Sequence, residues 1–240
     1  MDGKLIRNGM MILALLAATP SAFAKFYSYS TGSTTTGGVS VSGKATFDVS
    51  AGQMIVTLIN LEPNIKSVGQ DISSLFFTVN NGQSILSLSG AAVTLSGNLI
   101  DIGTSGVTSA GTLNNVALGT KGTSAEHWSA GQAGSKVYFN DLNGGGQPDQ
   151  TIIGPADSNG NYSMVNSSIY DNSSHNPYIQ NQATFTIKAA GLLATSTVSD
   201  VMIGFGTAPG CNIVRTVPEP GTVALFAIGA LALALRRRTG

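Results

Sequence analysis

Apolar and polar positions alternate with a period of two along much of the chain between Lys25 and Thr216. Thr184-Phe185-Thr186-Ile187-Lys188 alternates strictly, and Phe47 with Val49, Val93 with Leu95, and Val201, Ile203 and Phe205 repeat the spacing. Successive side chains of a strand point to opposite faces, so each such run predicts a strand with one buried face. Met54 to Leu61 is apolar apart from Thr57 and Asn60, which predicts a central strand covered on both sides. Asn80-Asn81-Gly82-Gln83 stands between Leu75–Val79 and Ser84–Leu88, and its Asn-Gly pair suits the positive φ angles of a tight turn, so a hairpin is predicted there. Tyr29 to Gly43 is poor in core formers and reads as a flexible lead-in or an edge strand. Gly103 to Ala133 resembles it and reads as long loops with a few short strands. No long stretch shows helical spacing. The predicted fold class is therefore all-β, an antiparallel β-sandwich or jelly-roll, with a β-solenoid as the alternative that no fixed-period repeat supports.

Both ends break this pattern. Lys4 and Arg7 precede an apolar run from Met10 to Ala18, followed by Thr19-Pro20-Ser21 and Ala22-Phe23-Ala24. A basic start, an apolar run and small residues before a cleavage point are the three parts of a signal peptide, with Ala22 and Ala24 filling the signal peptidase pockets after entry into the Sec translocon. At the other end, Thr222 to Leu235 is apolar or small throughout and runs into Arg236-Arg237-Arg238. As a helix it rises about 21 Å, short of the roughly 30 Å hydrocarbon core. The three arginines supply the cytoplasmic stop of a chain already exported, and a short span is accommodated by bilayer thinning or by snorkelling of the arginine stems.

Immediately before that run stands Val217-Pro218-Glu219-Pro220-Gly221. Pro-Glu-Pro, a short apolar helix and an arginine cluster in this order resemble the PEP-CTERM sorting signal of Gram-negative bacteria. The resemblance implies an exported substrate of an exosortase, a membrane transpeptidase-like enzyme. It implies Pro218, Glu219 and Pro220 as the recognition motif and Arg236, Arg237 and Arg238 as the stop. It also implies an intermediate anchored in the inner membrane, then delivery to the cell surface or extracellular matrix. The expected organisation is a signal peptide over 1–24, an exported β-rich domain over 25–216 and the sorting signal over 217–240, with its transmembrane helix over 222–235. Both prolines favour an extended backbone and hold off a helix start until Gly221.

Composition narrows the function classes. Seven basic residues (Lys25, Lys44, Lys66, Lys121, Lys136, Lys188 and Arg215) meet ten acidic ones between Lys25 and Thr216, a balance that argues against nucleic acid as a partner. Charged residues make up 10% of the chain, so solubility rests on Ser, Thr, Asn and Gly. Cys211 is the single cysteine and has no partner for an internal disulfide.

Catalytic chemistry has little to stand on. No Gly-x-Ser-x-Gly and no His-Glu-x-x-His is present, and the histidines are His127 and His175 alone. The exported part has two glutamates, Glu62 and Glu126, so a glycosidase pair would draw on aspartates. Asp141-Leu142-Asn143-Gly144-Gly145-Gly146-Gln147-Pro148-Asp149 matches the start of a calcium loop, with Asp141, Asn143 and Asp149 at the first, third and ninth positions. Gly145 and Ile152 replace two expected ligands, and a glycine-rich turn is the plainer reading, so no resident metal or cofactor is expected. Glu126-His127-Trp128 carries the single tryptophan, either a small-core cap or a stacking platform for a sugar. The reading is a non-catalytic surface or matrix protein. The alternatives are a carbohydrate-binding or adhesive module meeting extracellular polysaccharide through Trp128 and the 103–133 loops, and an exported hydrolase.

Overall fold

The computed structural model describes residues 24–82, 84–118, 127–141, 148–207 and 212–219. They form sixteen strands. In chain order these are β1 (Lys25–Ser30), β2 (Thr34–Thr36), β3 (Val39–Val41), β4 (Gly43–Ser50), β5 (Gln53–Asn60), β6 (Ile72–Asn80), β7 (Ala92–Gly103) and β8 (Gly106–Ala117). There follow β9 (Ser129–Ala133), β10 (Lys136–Asn140), β11 (Ile152–Ile153), β12 (Tyr178–Gln180), β13 (Gln182–Lys188), β14 (Thr197–Phe205), β15 (Ile213–Arg215) and β16 (Val217–Pro218). The one helical element described is a 3-10 turn at Val68–Gln70. The all-β expectation holds.

Fourteen strands join in one sheet that folds over on itself, while β2 and β3 form a separate hairpin. One run is β15-β14-β6-β10-β9, and the other is β8-β7-β13-β5-β4-β1-β16. Ring contacts between strands that share no hydrogen bonds show that the two runs face each other. Phe47 of β4 meets Phe77 of β6 at 5.1 Å, and Phe139 of β10 meets Phe185 of β13 at 4.3 Å. The runs are continuous at one corner through β11 and β12, whose pairing is parallel, a departure from the purely antiparallel expectation. On the opposite side β15 and β16 sit at the two ends of the strand order with Thr216 alone between them.

Alternation is expressed where the sequence shows it most plainly. On β13, Ala183, Phe185 and Ile187 are buried between exposed or half-buried neighbours, and on β4 Ala45, Phe47 and Val49 are buried. β5 lies between β4 and β13 as a central strand. Its second face is only half-covered at Ile55 and Ile59, because the facing layer packs on Met54, Val56 and Leu58 alone. A smaller core under the 154–177 loop gathers Ile65, Ile100, Ile102, Ile153, Tyr162, Ile169 and Tyr178.

Two expectations fail for identifiable reasons. The hairpin of Leu75–Val79 with Ser84–Leu88 stops after one bridge, Asn80 to Ile85, and one further bond from the Leu86 amide to the Val79 carbonyl. The turn forms, with Gly82 at φ 89°, but both edges of β6 are already taken by β14 and β10. Gly106 to Ala117 is not a loop. It is the outgoing arm of the long β7–β8 hairpin, and its small polar residues conceal it because only Leu113 is buried along β8.

Candidate functional site

The first strand supplies a seat for the last one. Tyr27 and Tyr29 of β1 turn inward, and their hydroxyls donate to the Ser196 and Val198 carbonyls at 3.0 and 2.5 Å. Period two then sends Ser28 and Ser30 outward, and on the paired strand β4 it sends Lys44 outward opposite Ser30. β16 pairs antiparallel with the other edge of β1, Tyr29 opposite Pro218 and Ser30 opposite Val217. Proline lacks an amide N–H, and an outermost strand with one paired edge tolerates it.

One residue further, Glu219 completes the contact. Its amide N–H donates to the Ser28 carbonyl at 2.8 Å. Its Oε2 accepts from the Ser28 hydroxyl at 2.6 Å and from the Lys44 ammonium at 2.7 Å. Those hydrogen bonds, Lys44 first and Ser28 second, hold the Glu219 carboxyl below its ordinary range. The side chains of Lys44 and Glu219 remain 29% and 35% exposed, so this is a screened surface pair rather than a buried one. Because β16 is antiparallel to β1, the chain leaves Glu219 running toward the Lys25 end of β1. Lys25 and the exit of the chain at Glu219 therefore lie on one side of the described residues.

Residues 216–238 match the family of the PEP-CTERM protein-sorting motif. The chain carries a PEP-CTERM sorting motif. The motif indicates a protein targeted to an exosortase and implies an exported, membrane-anchored intermediate. Neither curated proteins nor solved structures gave a match. The sorting motif begins inside the folded domain, since Val217, Pro218 and Glu219 are bonded to β1. Ala22, Pro220, the apolar run 222–235 and Arg236 to Arg238 lie outside the described residues, and Ala24 is exposed at their start. Among the described residues no helix is long and apolar enough to cross a membrane.

The other expected site residues fall elsewhere. Trp128 is wholly buried against Phe185, and its Nε1–H donates to the Gln150 carbonyl at 2.9 Å. No face is left to stack on a sugar, which corrects the ligand-contact reading. Asn143 and Glu126 lie outside the described residues, as does Cys211. His127 pairs through Nδ1 with Asp149, while His175 is buried with Nδ1 against the Pro148 carbonyl at 2.6 Å. Asp141 is completely buried. Among the described residues no three His, Cys, Asp or Glu side chains gather as a ligand set.

Sequence reasoning missed Lys44 and Ser28, whose outward placement is legible from alternation while their meeting with Glu219 is not. It also missed that Asp141, read there as a calcium-loop position, is buried, as Asp71 is. Asp71 and Asp141 are both inaccessible to solvent, and burial pushes both carboxyls well above their ordinary range. Among the described residues neither Asp141 oxygen has a hydrogen-bond partner, whereas Asp71 Oδ2 accepts from the Thr151 hydroxyl at 3.3 Å.

Proposed function

We propose that this chain is a non-catalytic exported protein, released by an exosortase from the inner membrane and displayed at the cell surface or in the extracellular matrix. The observation that carries the reading is the sorting motif at 216–238. It follows without interruption from a β domain whose two ends emerge on one side. A domain arranged in this way stands on the membrane by both ends during export, first through the signal peptide expected over 1–24 and then through the tail. The proposed partners are the Sec translocon, signal peptidase and exosortase in turn, with no resident cofactor and no nucleic acid. An open groove of about 590 Å³ is lined by Glu62, Asn64, Lys66, Gln70 and Ser163 among others, and Glu62 is the one acidic residue on its wall. Among the described residues its wall carries a single carboxylate, where glycoside hydrolysis uses a pair.

Replacing Pro218, Glu219 and Pro220 together by alanine tests the reading. Export should continue, since the N-terminal signal and the arginine stop are intact, while the protein should stay in the inner membrane with its tail attached. Identical mass and fractionation of wild type and variant, in a strain that possesses an exosortase, would sink the sorting hypothesis.

A second reading, a carbohydrate-binding or adhesive module, draws on a different place from Trp128. A cleft of about 320 Å³ is lined by Tyr162, Tyr170, Asn161 and Ser163, and Tyr170 is partly exposed on its wall. Aromatic rings beside amide and hydroxyl groups suit a sugar. Retention of the protein on purified polysaccharide, lost in Tyr170→Ala, is the outcome that favours this reading.

A further inference from the structure

The contacts of Glu219 have a consequence for when the sorting motif is available. We propose that the edge of β1, with Ser28 and Lys44, is a binding site for the chain's own Val217-Pro218-Glu219 segment at the start of the sorting motif, and that exosortase reads the motif only after this segment leaves the site. The proposal rests on the sorting reading above. It adds the site, its ligand chemistry (an extended acidic peptide) and an order of events.

Three observations carry it. The recognition begins with backbone: Val217 and Pro218 lie in register on β1, and the Glu219 amide donates to the Ser28 carbonyl. Adding an extended peptide to a sheet edge in this way gives affinity without sequence preference, and side-chain pockets give the choice. Here the choice is made by the Ser28 hydroxyl and the Lys44 ammonium, which converge on one carboxylate oxygen at 2.6 and 2.7 Å. A neutral residue at position 219 would lose the ion pair, and a basic one would meet the Lys44 ammonium with like charge. Finally, the attachment is light. Val217 is largely exposed, β16 is a two-residue strand, and the ion pair is open to solvent.

Docking and reading compete for the same atoms. In the docked state the Glu219 carboxylate and amide are both engaged, so an enzyme that recognises this glutamate in an extended peptide finds its handles occupied. Release needs only the loss of a few exposed bonds. The domain therefore withholds its motif in proportion to how well β1 and β4 are formed and paired, which makes the folded state of the exported part a determinant of processing rate.

The test is a pulse-chase of tail removal in cells that possess an exosortase, comparing the full chain with Lys44→Ala, Ser28→Ala, Lys44→Arg and the triple-alanine motif variant. An exposed ion pair shifts an equilibrium by up to about fivefold, so Lys44→Ala should lose its tail up to about fivefold faster than wild type. Lys44→Arg should stay close to wild type. Equal or slower tail removal in Lys44→Ala would overturn the proposal. A wild type that never loses its tail would instead count against the sorting reading. Docking is then decided by hydrogen exchange on the full chain, purified in detergent from cells without exosortase. The Glu219 amide should be protected in wild type and exchange faster in Lys44→Ala, with an unchanged melting temperature showing that the domain is intact. Exchange at the free-peptide rate in wild type would overturn the docking itself.

Discussion

Phe139 on β10 stacks on Phe185 on β13 with ring centroids 4.3 Å apart and planes 18° from parallel. The two strands share no hydrogen bonds, so this contact lies between layers rather than along one. Phe185 also receives the edge of Trp128 at 5.2 Å, and Phe139 touches Phe77 at 5.6 Å. Phe185→Ala removes a ring on which two others pack and should destabilise the domain by about 3–5 kcal/mol, read as a lower denaturant midpoint. The Phe139→Ala, Phe185→Ala pair should cost less than the sum of its parts, because the second truncation removes a contact already lost. Simple additivity would mean that the layers do not meet through these rings.

Trp128 should behave as a core residue. Trp128→Phe keeps most of the apolar contact but leaves the buried Gln150 carbonyl without its donor, an expected cost of about 1–3 kcal/mol. Thermal melts check the size of the effect. A Trp128→Phe protein that melts like wild type but no longer binds polysaccharide would restore the ligand-contact role.

Asp141 should make stability fall as pH rises. Its folded carboxyl is raised well above the ordinary range by burial first and by the nearby charges of Asp149 and Asp71 second. Between the unfolded value, about 3.9, and the higher folded one, the native state binds more protons than the unfolded chain, so the slope of stability against pH is negative there. The contribution is fully present below the unfolded value and is lost as pH climbs through the folded one. Asp141→Asn, similar in shape and unable to ionise, should therefore raise the melting temperature at neutral pH and change it little near pH 3. Millimolar calcium should leave the wild-type melt unchanged. A calcium-dependent rise that Asp141→Asn abolishes would instead identify a cation as the missing partner of these oxygens.

Much of this protein is legible in local pattern. The runs around Phe185, Phe47 and Ile203 announce which face of each strand is buried, because the two-residue period of an extended backbone sorts side chains by parity alone. The motif at Pro218, Glu219 and Pro220 is legible for the same reason, its information being contiguous. β8 was hidden because an edge strand with only Leu113 buried leaves almost no apolar trace.

What parity leaves open is the choice of neighbour. Asn80-Asn81-Gly82 encodes a turn, yet the strand that should follow it is displaced, since β6 gains more from β10 and β14 than from Ser84–Leu88. Trp128 reads equally well as platform or core until Phe185 and the Gln150 carbonyl are seen beside it. Lys44 and Glu219 stand 175 positions apart, and nothing near either of them foretells the other. The sequence by itself determined the all-β class, the inward and outward faces and the sorting motif, because each is written in residues a few positions apart. Only the tertiary structure decided which strands pair, which aromatic rings meet and where the sorting glutamate rests. Those depend on two layers closing over one core, a condition the whole chain must satisfy at once.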